Sequence, residues 1–314
     1  MEVGEKWMRW TLLEALMKTT SKLPQKFCGQ ISPTFGHTFL ASLVIGWVQV
    51  SVGYIVTQRR GTKLLADRSL VIGSCLFGLG AAIITVLGFA IFYYHGDVGV
   101  SVLIFTLSII PGAFIDQCFF GHRLTARKWA GVGVGILAAY VILNRPSLQE
   151  FKMMPVWIWL SFALMFLAAV TQGITQKIKE VDMFVKNFWG GLVTVVVCLA
   201  ALVVSGQTAL LWDFSPNTRQ LVGISAFIGL VVVAMWSFNL LSYKGGASIA
   251  IKKLVLNGFY LTTAMLGGMV FFGETLTNGK LIGTGLYVVA FALMDDNTWR
   301  FLLGRFWKPA VATG

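Results

Sequence analysis

Glu14, Lys18 and Lys22 stand four residues apart in TLLEALMKTTSK, inside a stretch that is otherwise largely apolar. On a helix that spacing sets them along one side, with the acid preceding the bases in the order that favours pairing. Ionisable groups in such surroundings either face an interior or a water-filled cavity, or mark an amphipathic helix at a membrane surface. In the first case Glu14 and Lys18 would contact a polar ligand, and Glu14 could carry a proton. Lys22, near the expected helix end, would snorkel toward the headgroups. Gln172 and Gln176 repeat the four-residue step farther along; two glutamines there hydrogen-bond a ligand or tie two helices together. In GGASIAIKKLVLNGFYLTTAML, steps of four and three lead from Lys253 to Asn257 and Tyr260, both polar. The same steps from Lys252 meet Leu256 and Phe259. Lys253 is therefore expected to face a polar interior. There its ammonium suits a carboxylate or phosphate, or pairs with an acid such as Glu14.

Other chemistry leaves no trace. Cys28, Cys75, Cys118 and Cys198 are scattered, and no CxxC, HExxH or Walker loop occurs. No cofactor or metal is indicated. Asp116 is expected to pair with Arg123 or Lys128, with proton coupling as the alternative. Asp295 and Asp296, the only adjacent acidic pair, close a segment without a partner motif.

The elements that must position these residues are membrane spans. The chain has 314 residues, of which 56% are hydrophobic and 12% charged, against about 25% charged in soluble proteins. Apolar segments of span length recur from end to end. We read ten: a weak one at about 7–23, then about 35–57, 70–93, 98–120, 127–143, 155–176, 186–204, 221–241, 247–272 and 279–294. The formal charge of +12 falls in short loops without a basic groove motif, which excludes nucleic acid as a partner and reads as a topology signal. With the N-terminus inside, one face of the membrane collects most of the Lys and Arg. The other receives only Lys26, Arg145, Lys152, Arg219 and Lys280. Both termini are then cytoplasmic. Small-xxx-small faces such as Gly131–Gly135 and Gly279–Gly283 let helices approach closely, within the bundle or at a homodimer interface.

One phrase occurs twice. FFGHRLTARKWAGVG starts at Phe119 and FFGETLTNGKLIGTG at Phe271, 152 residues later. Lys128, Gly131 and Gly133 of the first match Lys280, Gly283 and Gly285 of the second. Five spans, an odd number, separate the copies, so they face opposite sides, and the first is the more basic. The expected fold is all-α and integral to the membrane, with ten transmembrane helices as two inverted five-helix repeats. The repeats cover 1–146 and 153–298, followed by a cytoplasmic tail, 299–314. Inverted repeats are a recurrent plan of secondary transporters.

Two halves that each end in a G-E-x-L-T … G-x-G turn resemble the drug/metabolite transporter superfamily with EamA-type repeats. The second copy is the closer match. The first has His122 in place of the family's Glu, and LSIIPGAF is similar to the family's Ser-Pro stretch, which the second half lacks. The resemblance implies a ten-helix carrier in the lipid bilayer, and the plain motifs lean toward a bacterial inner membrane over a eukaryotic organelle. The expectation is a secondary transporter, not an enzyme. It would move a small-molecule substrate, a polar or anionic metabolite such as an amino acid, through a cavity lined by the first, fourth, sixth and ninth spans. Glu14 and Lys18 would form one wall, Lys253, Asn257 and Tyr260 the other, with Gln172 and Gln176 adding contacts. Nucleotide-sugar or sugar-phosphate exchange is the alternative within the class. A membrane-embedded lipid-phosphate enzyme and a non-transporting receptor are the alternatives outside it.

Overall fold

The computed structural model describes residues 3–65, 67–120, 125–178, 180–245, 249–294 and 299. Asp295, Asp296, His122 and Arg123 lie outside the described residues, as do the side chains of Asp116, Gln176, Lys252 and Lys253. The described chain is helical throughout, without strands: α1 (Val3–Ile31), α2 (Gly36–Arg60), α3 (Arg68–Tyr93), α4 (Val98–Thr106), α5 (Ile109–Phe120), α6 (Ala126–Ile142), the short α7 (Leu148–Lys152), α8 (Val156–Lys177), α9 (Met183–Val204), α10 (Pro216–Lys244), α11 (Ile249–Phe272) and α12 (Asn278–Met294). Six of them, α2, α3 and α8 to α11, are long and apolar enough to cross a membrane. About half of each such span is buried against its neighbours and the rest faces outward, as suits helices solvated by lipid.

One element departs from the sequence reading. The first helix does not stop near Leu23 but runs to Ile31, through Pro24. It is not an exposed surface helix either: it packs on α10, α11 and α3. Thr11, Glu14, Ser21, Lys22, Gln25 and Lys26 are all buried. Its polar face is turned inward, so its low hydropathy reflects what it lines. The break between α4 and α5 lies where Pro111 leads the sequence to expect a kink with a freed carbonyl. Pro111 has no N–H to give the Leu107 carbonyl. That carbonyl instead accepts from the Ile110 amide at 2.9 Å, within a run of tighter bonds from Leu107 to Ile104 and from Ser108 to Phe105.

Helix pairs close on small residues. A Cβ on Gly131 would stand 2.5 Å from Met294 and 3.0 Å from the Ala290 carbonyl. A Cβ on Gly283 would stand 2.2 Å from Ile142 and 3.4 Å from the Ala138 carbonyl. These two sets of contacts are one set shifted by 152 residues. Between α2 and α9, Gly46 faces Thr194 and Gly191 faces Gln49 in the same reciprocal way, now with a shift of 145. Gly133 and Gly285, by contrast, face open space. Gly133→Ala is therefore expected to leave the melting temperature unchanged or raise it slightly, by up to about 1 kcal/mol of helix propensity. A matched Gly131→Ala should lower it.

The repeated phrase also has a local meaning. Gly273, with φ 64°, ends α11 in the left-handed conformation. Its amide bonds the Met269 carbonyl, and the next amide, that of Glu274, reaches back to Gly268 at 3.1 Å. This is a glycine C-cap of the kind that reverses chain direction. Thr277 then caps α12 through the Lys280 amide at 3.3 Å, as Thr125 caps α6 through the Lys128 amide.

Candidate binding cavity

A cavity of 110 Å³ lies in the middle of the bundle. Glu14, Lys18, Ser21, Lys22 and Gln25 of α1 form one wall. Thr171, Gln172 and Thr175 of α8, with Leu164 and Ala168, form a second. Phe105 of α4 and Tyr260 of α11 contribute one ring each, α3 adds Ala81, Ile84 and Thr85, and α10 adds Val232, Met235, Trp236 and Asn239.

The acid at one end is held from two sides. The Asn239 amide donates to Glu14 Oε1 at 2.8 Å, and Lys18 Nζ stands 3.6 Å from the same oxygen. Lys18 also lies 5.8 Å from the ring centre of Phe105 and 6.0 Å from that of Tyr260. Those rings present their negative faces to the ammonium in place of water. One turn on, Lys22 lies 5.0 Å from the Phe92 ring centre. Beside Trp236 and Thr175, Lys186 of α9 is almost fully buried. Its ammonium lies 3.8 Å from the Phe77 ring centre and 5.1 Å from that of Trp236, and 3.4 Å from Thr175 Oγ1.

A second charged cluster closes one end of the bundle. Lys26, a turn past Lys22, pairs with Glu274 at 2.5 Å. The Glu274 carboxylate also accepts the Val98 and Gly99 amides at 2.6 and 3.1 Å, at the N-terminus of α4, where helix dipole and free amides favour an anion. Lys280 bonds Asp97 at 2.7 Å and the Thr275 carbonyl at 2.9 Å. At this end α1 and α3 also meet directly: a Cβ on Gly29 would stand 2.6 Å from Phe92.

Of the residues expected at the site, Glu14, Lys18, Gln172 and Tyr260 line this one cavity. Asn257 does not. It is buried away from the cavity, and its amide donates to the Tyr287 hydroxyl at 3.0 Å, tying α11 to α12. Asn257→Leu should therefore destabilise the protein by about 0.5–1.5 kcal/mol, the net worth of one hydrogen bond, since the Tyr287 hydroxyl keeps Thr106 as a partner. It should leave ligand affinity unchanged, which parallel melting and binding measurements on the detergent-solubilised protein would check.

The lining is also wider than the four spans expected. The walls from α3 and α10 were not foreseen. Lys22 is buried at the cavity, not snorkelling, because α1 continues for nine residues beyond it. Continuing the four-residue step from Lys18 through Lys22 to Lys26 would have revealed this stripe. Asn239, Trp236 and Lys186 carry no comparable signal.

No protein-family model matches the sequence, and the search of curated proteins finds no relative. Twenty-eight chains of solved structures are similar in fold. One, described only as "Crystal structure of protein", aligns over 95% of this chain and 99% of its own, with a TM-score of 0.62 and 16% sequence identity. At that identity the likeness is one of fold alone.

Proposed function

We propose that the chain is a secondary transporter of ten membrane spans, built as two inverted halves, 1–146 and 153–298, with both termini cytoplasmic. In this reading α4 and α5 form one broken span and α7 lies in the connection between halves. The carrying observation is the buried, charged cavity, whose walls come from helices of both halves.

The pattern of helix packing supports the two-fold arrangement. Exchange the halves, so that α1, α2, α3, α4–α5 and α6 become α8, α9, α10, α11 and α12. The pairs α2–α9 and α6–α12 then map onto themselves, and both are close contacts. The packing of α1 on α10 maps onto α8 on α3, α1 on α11 onto α8 on α4–α5, and α2 on α10 onto α9 on α3; every member of these pairs is present. One contact has no comparable mate among the described residues: α1 packs on α3, whereas α8 and α10 do not pack to that extent. A bundle symmetric in all but the contact that closes one end fits one state of an alternating-access cycle. By the charge bias, the closed end is the outer one.

The resemblance to EamA-type carriers supports the same reading, and the cavity argues about cargo size. A space of 110 Å³ holds about ten water-sized positions, too few for a nucleotide sugar, so a small metabolite is the better cargo. The test is reconstitution into liposomes and exchange of labelled small metabolites, anionic, neutral and cationic. We expect saturable exchange of at least one, reduced tenfold or more by Glu14→Gln. Uptake no faster than into protein-free liposomes across the whole set would refute the carrier reading.

A further inference from the structure

We infer that Lys22 is the docking point for an anion. The cargo would then be a small acid of net charge −1 that also offers a hydrogen-bond donor. The inference rests on the carrier reading for the word cargo, but not for the binding site itself.

Three lysines follow one another at four-residue steps along the buried face of α1. The two outer ones are neutralised: Lys18 by Glu14 and Lys26 by Glu274. The middle one is not. Among the described residues no carboxylate comes within 4 Å of Lys22, which is 7% exposed and lines the cavity. Among these residues its partner is the face of Phe92, and a ring quadrupole offsets only part of the cost of removing an ammonium from water. A buried cation of this kind, aimed into a cavity, asks for an anion.

The charge balance of the cavity points the same way. Its described ionisable lining is one carboxylate, Glu14, and two ammonium groups, Lys18 and Lys22. With Lys186 also set against Thr175 and Trp236 of the lining, the described ammonium groups outnumber the carboxylate, an excess that a zwitterion would not reduce and a monoanion would.

Gln172 supplies the second determinant. Its side-chain oxygen is buried, lines the cavity and accepts no hydrogen bond. An orphan acceptor favours a ligand that brings a donor, such as a hydroxyl. Together with room for about ten non-hydrogen atoms, these features describe a 2-hydroxy monocarboxylate of moderate size. Phe105, Tyr260 and Trp236 then receive its apolar part.

The test uses the purified full-length protein and five matched probes: 2-hydroxyisocaproate, its neutral amide, plain isocaproate, L-leucine and L-leucinamide. Calorimetric titration near pH 7 gives affinities, and liposome exchange is run on the same set. We expect the hydroxy acid to bind at least tenfold tighter than any other probe. Lys22→Gln should lose at least tenfold of that affinity and Lys22→Arg should keep most of it. Gln172→Leu should narrow the gap between 2-hydroxyisocaproate and plain isocaproate. Equal affinity for the acid and its amide, preference for the zwitterion, or no binding of any probe would overturn the proposal. So would full affinity in a monodisperse Lys22→Gln variant. If that variant does not fold, the acid–amide comparison on wild type and the Gln172→Leu result still decide. Tight binding of the hydroxy acid without exchange would uphold the anion site and sink the carrier reading instead.

Discussion

On the carrier reading proposed above, replacing Glu274 with alanine is expected to open the end of the bundle that this reading places outside. The carboxylate is buried and has three jobs there. It neutralises Lys26 on α1, it accepts the two free amides that begin α4, and it stands 4.0 Å from Lys280 on α12. Three helices, α1, α4 and α12, therefore meet on one side chain. Removing it strands an ammonium and two amide donors in a dry site, where loss of one member of a buried pair costs about 3–5 kcal/mol. That cost falls only on the state in which the cluster is closed. At about 1.4 kcal/mol per tenfold, the balance between outer-closed and outer-open states should shift by a factor of about 100 or more. The measurement is sidedness of labelling. In a chain freed of its four native cysteines, Ser21→Cys places a thiol in the cavity, and a membrane-impermeant maleimide applied outside should react with it far faster in the Glu274→Ala background. Glu274→Leu combined with Lys26→Met should open less than Glu274→Ala alone, because removing both charges leaves neither stranded. Equal labelling rates in all backgrounds would show that the cluster is a fixed brace and not a gate.

How much of this could be read from the sequence follows from where the signals sit. The Glu14–Lys18–Lys22 stripe was visible because charge is rare in this chain, so a four-residue step stands out. Its true length was hidden: Pro24, Gln25 and Lys26 depress hydropathy where the helix in fact continues, since hydropathy does not record that a polar face is turned inward. Lys186, the first residue of the span read at 186–204, looks like a span-end basic residue for the same reason. The repeated FFG phrase could be found because two short turns demand the same things: a threonine to cap the helix that follows and glycines where α6 and α12 touch. What it could not disclose was that Glu274 turns inward to cap the distant helix α4. That role depends on Gly273 reversing the chain and on α4 starting beside it. The α3 and α10 walls were invisible because Ala81, Ile84, Val232 and Met235 have the composition of any span, and Thr85, Trp236 and Asn239 stand among them without a repeated polar step. The Gly46–Gly191 relation was missed because its shift is 145 residues, not 152: the loops between elements differ in length, and a search at one offset passes over it.

That glycine pair carries the second large effect, and it differs in kind from the first. A Cβ on Gly191 would stand 2.7 Å from Gln49 Cβ, 2.8 Å from the Gly46 carbonyl oxygen and 2.9 Å from the Val50 amide nitrogen. Two of these are backbone atoms, so no rotamer change makes room, and α2 and α9 must move apart. In lipid, where no hydrophobic force drives helices together, close backbone packing is what holds such a pair. Gly191→Ala is expected to cost about 1–3 kcal/mol, the usual range for overpacking, and Gly191→Leu to prevent recovery of monodisperse protein. Gly46→Ala should cost less, because its nearest contacts are 3.1 Å and two of the three are side-chain atoms of Thr194. On the two-fold carrier reading proposed above, the α2–α9 contact maps onto itself, so an inward-open and an outward-open bundle would share it. Destabilising it should lower the melting temperature without moving the Ser21→Cys labelling rate. The α1–α3 contact and the Glu274 cluster lack that property, and damage there should move the labelling rate. If Gly191→Ala shifts labelling as much as Glu274→Ala does, then α2 and α9 slide during the cycle and the axis of the motion lies elsewhere.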